Sequence, residues 1–170
     1  MLAIILILAG AFFRFLPHAP NVNPVAAIAL FGAVTLSTKR LALIVPLCIM
    51  VLSDLFLGLH DLVAFTWGSV VLISLFGIAL RGTRKTTVVL FGSLASSLAF
   101  FLITNFGVWL SGWYPLTLAG LQTCFINAIP FFRNFLTGTL AYAIVLFGTY
   151  ELAARTIKNK KLVRALLTGR

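Results

Sequence analysis

The sequence has very few acidic residues. Its carboxylates are Asp54, Asp61 and Glu151, against 13 lysines and arginines, and charged residues make up only 9% of the 170 positions. Glu151 lies far along the chain from the other two, and no pair has the spacing of a recognisable catalytic dyad. General acid–base chemistry needs a positioned proton donor or acceptor, so the sequence supplies it poorly.

Other familiar chemical motifs are also missing. The two cysteines, Cys48 and Cys124, lie in different apolar contexts, which predicts neither a disulfide nor a metal site. The stretch "GIALRGTRKTT" begins like a phosphate-binding loop, but Thr83 stands where the lysine belongs. There is no H-E-x-x-H or G-x-S-x-G motif either. We therefore predict no cofactor, no bound metal, no nucleotide-hydrolysing site and no enzyme activity.

Apolar residues are what the chain has in abundance. They make up 61% of the sequence, and the mean hydropathy is +1.12. Apolar runs of near-spanning length predict a multi-pass protein of the inner (cytoplasmic) membrane. We expect one domain over residues 1–170, an all-α compact bundle of about six transmembrane helices. The predicted helices cover residues 2–16, 24–36, 41–59, 62–80, 86–110 and 130–153, followed by a basic tail over 154–170. The first two are short for full spans.

The basic residues predict an orientation. With six helices and a cytoplasmic C-terminus, eleven of the thirteen basic residues fall on the cytoplasmic side. These eleven are Lys39, Arg40, Arg81, Arg84, Lys85, Arg155, Lys158, Lys160, Lys161, Arg164 and Arg170. The positive-inside rule then places both termini in the cytoplasm. It also accounts for the net charge of +10 without a nucleic-acid partner.

Most other polar residues converge on the outer end of the predicted bundle. Ionisable groups in a membrane are costly and normally face a cavity or one another, so we predict an outward-facing, aromatic-lined pocket that binds a small solute. Its candidate residues are Arg14, His18, Asn21, Asp54, Asn105, Trp109, Trp113, Tyr114, Asn127, Arg133 and Asn134. The arginines favour an anionic solute and the aromatic residues a ring.

Several of these residues have a simpler structural interpretation. Asp54 could pair with Arg14 or Arg133 and hold helices together rather than touch a ligand. The tryptophans could form an interfacial belt, and Asn23 is placed to cap a helix that starts at Pro24. These alternatives stay open at the level of sequence.

Small residues repeat along the second predicted helix. Ala26, Ala29 and Ala33 share one face of it, and Ser93 and Ser97 repeat the four-residue spacing in the fifth. Such spacing lets helices approach closely. The alanines therefore serve either packing within this chain or docking of another membrane subunit.

The segments "RFLPHAPNVNPVAAIALFGA", "PLCIMVLSDLFLG", "FFLITNFGVWLSGWYP" and "AIPFFRN" resemble those of an uncharacterised family of small bacterial membrane proteins described as transport proteins. In size and helix count the chain is also similar to the substrate-binding S components of energy-coupling-factor (ECF) transporters. That resemblance implies uptake of a vitamin or similar micronutrient. It also implies a transmembrane coupling subunit and ATPases as partners, with docking on Ala26, Ala29 and Ala33. The alanines lie in the second helix here, whereas S components are described with them in the first.

Two other classes of function compete with solute binding. A membrane enzyme acting on a lipid-linked substrate would use Asp54, His18, His60 or Asp61, with or without a metal. A structural or assembly protein would use the polar layer only to hold its helices together.

Overall fold

The computed structural model describes residues 2–82 and 85–168, with side chains up to residue 157. Within these ranges the chain is all helical and contains no strand. The helices are α1 (Leu2–Phe12), α2 (Val25–Thr35), α3 (Lys39–Leu57), α4 (Val63–Ala79), α5 (Thr86–Leu110) and α6 (Leu118–Thr168), and a 3-10 turn at Phe13–Phe15 follows α1. Arg84 and the basic side chains of the tail from Lys158 onward lie outside the described side chains.

Five helices start and end within a few residues of their predicted bounds, but the sixth does not. Its start was predicted at Pro130, whereas α6 begins at Leu118 and carries Pro130 in its interior. The Thr117 hydroxyl accepts a hydrogen bond from the Gly120 N–H at 3.1 Å, which satisfies one free donor of the first turn. Pro130 removes a single backbone donor, and α6 continues on both sides of it.

Helix α2 is the centre of the bundle. It contacts all five other helices, and nine of its eleven residues are buried. Two glycines on its neighbours make this possible. A Cβ on Gly77 of α4 would lie 2.5 Å from the Cβ of Ala33, and one on Gly92 of α5 would lie 3.2 Å from Leu30. Small residues at these crossings let three helices share one short apolar core.

Arg81 stabilises the C-terminal end of α2. Its guanidinium donates to the carbonyl oxygens of Ala33 at 2.8 Å, Leu36 at 2.5 Å and Thr38 at 2.9 Å. The last carbonyls of a helix have no partner within the helix, and they form the negative end of the helix dipole, which a cationic donor stabilises. The sequence analysis assigned Arg81 to membrane orientation alone, but the structure also gives it a packing role.

Three helices are long and apolar enough to cross a membrane by length and composition. They are α3, α5 and residues Leu118–Ile157 of α6, while the apolar helices Leu2–Phe15, Val25–Thr35 and Val63–Ala79 are shorter. The eleven residues of α2 extend only about 16 Å, roughly half the thickness of a bilayer core. The six-helix prediction therefore holds for the number of helices among the described residues, and three of those helices have spanning length.

Successive helices run in opposite directions, so the bundle has two distinct ends. Arg14 meets Asp54 where α1 and α3 finish. Arg81 meets Thr38 at the opposite end, where α4 finishes and α3 begins. The described basic residues Lys39, Arg40, Arg81 and Lys85 cluster at that second end, which we call the basic end.

Candidate functional site

A cavity of about 360 Å³ opens at the end of the bundle opposite the basic end. This volume is within the range of small-molecule sites. The cavity lies between the segment that connects α1 to α2, the start of α4, the end of α5 and the middle of α6. Its lining consists of Arg14, Asn21, Asn23, Met50, His60, Leu62, Thr66, Phe100, Phe101, Thr104, Asn105, Val108, Phe131, Phe132 and Phe135.

Phenylalanines form the largest part of the cavity wall. Phe100 of α5 and Phe135 of α6 are stacked with ring centroids 4.5 Å apart and an interplanar angle of 19°. Phe101 packs against Phe132 at 4.7 Å and edge-on against Phe125 at 5.5 Å. These contacts hold the rings in fixed orientations, so the wall can receive another flat ring by stacking or by edge contact.

Arg14 reaches the cavity as part of a buried polar cluster. Its Nη2 donates to Asp54 Oδ1 at 2.8 Å, and its Nη1 donates to the Ser53 hydroxyl. The other carboxylate oxygen of Asp54 accepts from Trp67 Nε1 at 2.8 Å. The Asp54 residue is only 3% exposed. We call Arg14, Asp54 and Trp67 the buried triad, since it joins the segment after α1 to α3 and α4.

The buried triad decides between two interpretations of Asp54. Both of its oxygens are engaged by protein donors, and the carboxylate cancels the charge of the adjacent guanidinium. Asp54 is not part of the cavity lining. The structure therefore contains the pairing of Asp54 with Arg14, and Arg133 takes no part in it.

Two asparagines offer fixed polar groups to the cavity. Asn105 Nδ2 donates to the Phe101 carbonyl one turn earlier at 2.8 Å, which orients its amide beside the ring wall. Asn23 Oδ1 accepts from the Val25 N–H at 3.2 Å. The N-cap position of α2 is Pro24 rather than the predicted Asn23, so this bond lies one residue before the cap. Asn21 lines the cavity from a left-handed turn with φ of 61°, a conformation that asparagine tolerates better than most residues.

His60 lines the cavity, although the sequence analysis considered it only for the alternative membrane enzyme. Its Nδ1 accepts from the Leu62 N–H at 3.2 Å. In the neutral imidazole this places the proton on Nε2. His60 therefore offers one hydrogen-bond donor to the cavity and helps to fix the turn between α3 and α4.

Arg133 does not line the cavity, although it was predicted to. Its neighbours Phe132 and Phe135 face inward, whereas its own side chain is exposed on the outside of α6. At 100° per residue, Arg133 points roughly 150° away from the mean direction of the cavity phenylalanines. The prediction had placed Arg133 in the first turn of a helix starting at Pro130, whereas α6 begins at Leu118, twelve residues earlier.

The remaining predicted residues lie around the mouth rather than in the lining. His18 is exposed and lies beside the carbonyl of its neighbour Ala19, and Trp113 is 71% exposed. Trp109 donates to the Pro115 carbonyl at 3.0 Å. The contacts of His18 and Trp109 both stabilise segments that connect helices.

Two asparagines of α6 are also bound to such segments. Asn127 donates to the Tyr114 hydroxyl at 3.3 Å, and Asn134 donates to the Pro20 carbonyl at 3.2 Å. Of the eleven predicted binding residues, the cavity lining contains Arg14, Asn21 and Asn105.

The three alanines of α2 are not on the surface. Ala26, Ala29 and Ala33 are each 0% exposed and pack inside the bundle. In this structure they cannot form the docking face implied by the resemblance to S components. Their small size serves the close packing around α2, which is the other interpretation of the spacing.

Sequence reasoning missed most of the lining because it searched for polar residues. A helical period could have found part of it, since Phe100, Thr104 and Val108 repeat at four-residue intervals on α5. No such signal identifies Met50, which reaches the cavity from another helix. Across the described residues, no group of three His, Cys, Asp or Glu side chains could hold a metal ion.

The fold and the cavity define a small helical-bundle protein with a polar and aromatic cavity at one end of its described helices. The chain belongs to DUF6580, a family of unknown function, whose match extends over residues 1–162. No curated protein and no solved structure matches the sequence significantly.

Proposed function

We propose that this protein is a membrane-embedded, solute-binding transport protein whose cavity takes up a small molecule from the outer side of the cytoplasmic membrane. The observation that carries the proposal is the cavity itself. It combines five phenylalanines with the amides of Asn21, Asn23 and Asn105 at one end of a highly apolar bundle. Ligand sites typically combine a mostly apolar wall with a few oriented polar groups.

Charge supports the proposed orientation. The basic end carries Lys39, Arg40, Arg81 and Lys85, and the cavity opens at the opposite end of the bundle. In bacterial membranes, short loops rich in lysine and arginine stay in the cytoplasm. The cavity would then face outward, where a nutrient or other external solute arrives.

The chemistry of the lining favours a neutral, ring-containing solute over the anion expected from the sequence. Arg14 is already paired with Asp54, and Arg133 faces away from the cavity. With no unpaired lysine or arginine in the cavity lining that the structure describes, there is little to repay the desolvation of an anionic ligand. The phenylalanines suit a flat ring, and the side chains of Asn105 and His60 suit hydrogen-bonding groups at its edge.

The source of energy would lie outside this chain. Its 170 residues contain no phosphate-binding loop. We propose that concentrative uptake would require a membrane coupling subunit with ATPases, as in ECF transporters, with contacts other than the three buried alanines. Facilitated diffusion would need no such partner.

Native mass spectrometry of the protein purified gently from its own host tests this proposal. We expect a discrete bound metabolite, together with any partner subunits. Asn105→Leu should remove the metabolite and spare the fold, because the Asn105 amide bonds only to the carbonyl of its own helix. Arg133→Gln is the matched control, since Arg133 is a polar residue of a neighbouring helix outside the cavity, and it should retain the metabolite.

Two results would contradict the proposal. If the protein extracted from native membranes consistently carries no bound metabolite, the polar end of the bundle has a structural role only. A metabolite that both variants retain would show that it binds elsewhere.

A further inference from the structure

Four hydroxyl groups in the middle of the bundle are completely buried and unpaired. They belong to Ser74 of α4, Ser96 and Ser97 of α5, and Thr139 of α6, each 0–1% exposed. Their oxygen atoms have no hydrogen-bond partner among the described residues. We call these four residues the hydroxyl layer.

The stacked phenylalanines show where the hydroxyl layer lies. Phe100 and Phe135 are in contact at 4.5 Å on two antiparallel helices at the inner side of the cavity. Ser96 precedes Phe100 by one turn, and Thr139 follows Phe135 by one turn. Both steps lead away from the cavity mouth and toward the basic end. Ser96 and Thr139 therefore lie at about one height, directly beyond the two rings.

The contacts of Leu30 place Ser74 at the same height. Its side chain lies against both Gly77 of α4 and Gly92 of α5, which sets these two glycines level with each other. Ser74 lies one turn from Gly77, and Ser96 lies one turn from Gly92, in each case toward the cavity. The hydroxyl layer thus forms a polar level shared by three helices rather than four unrelated side chains.

Other hydroxyls in this bundle are paired locally. Ser69 donates to the Phe65 carbonyl at 2.7 Å, Ser93 to Val89 at 2.8 Å and Thr104 to Phe100 at 2.8 Å. A buried hydroxyl without a partner costs about 1–3 kcal/mol. Four such groups at one level are therefore expensive, and apolar side chains of similar size would avoid the cost.

We propose that the hydroxyl layer continues the solute route of the cavity toward the basic end, so that the bound molecule passes through this chain. The proposal rests on the proposed transport function. A neutral solute would move past the Phe100 and Phe135 rings and exchange hydrogen bonds with the cavity amides for bonds with the unpaired hydroxyls. The layer has no charged side chain, which matches the same class of neutral solute.

Cysteine accessibility tests this route without knowledge of the solute. In the full chain with Cys48→Ser and Cys124→Ser, a single cysteine replaces Thr104 in the cavity, Ser97 in the hydroxyl layer or Ile7 in the apolar core. Sealed right-side-out vesicles are treated with a small neutral methanethiosulfonate, which has the charge of the proposed solute, and labelling is followed by mass spectrometry. Ile7→Cys is the matched control because Ile7 and Ser97 are both 0% exposed, and Ile7 packs against Gly32 of α2 rather than between the cavity and the layer.

We expect Thr104→Cys to react fastest and Ser97→Cys to react about tenfold faster than Ile7→Cys, a difference of about 1.4 kcal/mol in the barrier to reach the thiol. If Thr104→Cys reacts but Ser97→Cys is no faster than Ile7→Cys, the route is refuted and the cavity survives. If Thr104→Cys is also unreactive, the outward-open cavity is refuted as well.

A second variant tests the position of the barrier. Phe135→Ala, made in the Ser97→Cys chain, removes one of the two stacked rings and should speed labelling of the layer by about another tenfold. Unchanged labelling would contradict a path between these rings. Ser96→Cys is a replacement for Ser97→Cys if that variant does not fold, since both residues belong to the layer.

Discussion

The buried triad allows a quantitative prediction about what holds the cavity end together. Asp54→Asn keeps an acceptor for the indole N–H of Trp67 but removes the charge that neutralises Arg14. The Arg14 and Asp54 side chains are 10% and 4% exposed. Breaking a buried ion pair by removing one partner typically costs about 3–5 kcal/mol, because the other charge stays buried without compensation.

The assay is thermal unfolding of the full chain in detergent, followed by helical circular dichroism. For a protein of this size, the predicted loss corresponds to a fall in Tm on the order of 10 °C. Trp67→Phe removes only the donor to the carboxylate, a hydrogen bond to a charged group worth about 1.5–3 kcal/mol, and should cause a smaller fall.

A double-mutant cycle identifies the cause. Arg14→Met combined with Asp54→Asn should cost clearly less than the sum of the two single changes, because no unpaired charge is left in the bundle. Strictly additive losses would refute the view that Arg14 and Asp54 form one coupled unit. A loss below about 1 kcal/mol for Asp54→Asn, the value of an exposed pair, would refute the burial of the triad.

Three further predictions concern the rest of the bundle. Arg81→Met should lower the free energy of unfolding by about 2–4 kcal/mol, because it removes the side-chain donor to the α2-end carbonyls of Ala33 and Leu36 and a further bond to the Thr38 carbonyl. Arg155→Met, at an exposed i,i+4 pair, should cost less than about 1 kcal/mol in the same unfolding assay. Gly77→Ala should destabilise the protein by about 1–3 kcal/mol through overpacking. Gly68→Ala has open space around its Cβ and should be neutral or stabilise the protein by up to about 1 kcal/mol. Equal effects of the two variants in thermal unfolding would contradict the close α2–α4 crossing. Arg133→Gln should leave Tm within about 2 °C, since the side chain is exposed and outside the cavity, and a larger fall would show that Arg133 has a structural partner.

The apolar segments predicted five of the six helices well, because loops, glycines and basic residues interrupt the hydrophobic pattern at their ends. The exception was α6, where Pro130 was interpreted as a helix start. A proline is compatible with either a first turn or a helix interior. The choice depends on whether the preceding residues 118–129 have a helix to pack against, and α5 provides it.

The sequence could indicate the depth of the candidate site but not its wall. Arg14, Asn21 and Asn105, grouped by depth, line the cavity, and Arg133, grouped with them, does not. Depth along a helix does not determine the direction in which a side chain points around it. A search for polar residues also passes over phenylalanines, which supply five of the fifteen lining residues.

The sequence alone determined the all-helical class, the bounds of most helices and the separation of a basic end from a polar and aromatic end, because these depend on local hydropathy and on charge along the chain. Only the tertiary structure decided that Asp54 pairs with Arg14, that Ala26, Ala29 and Ala33 are core residues, and that four hydroxyls are buried without a partner among the described residues. Those features depend on which faces of different helices meet. Helix rotation and crossing are set by packing against neighbours distant in the sequence, and no single segment encodes them.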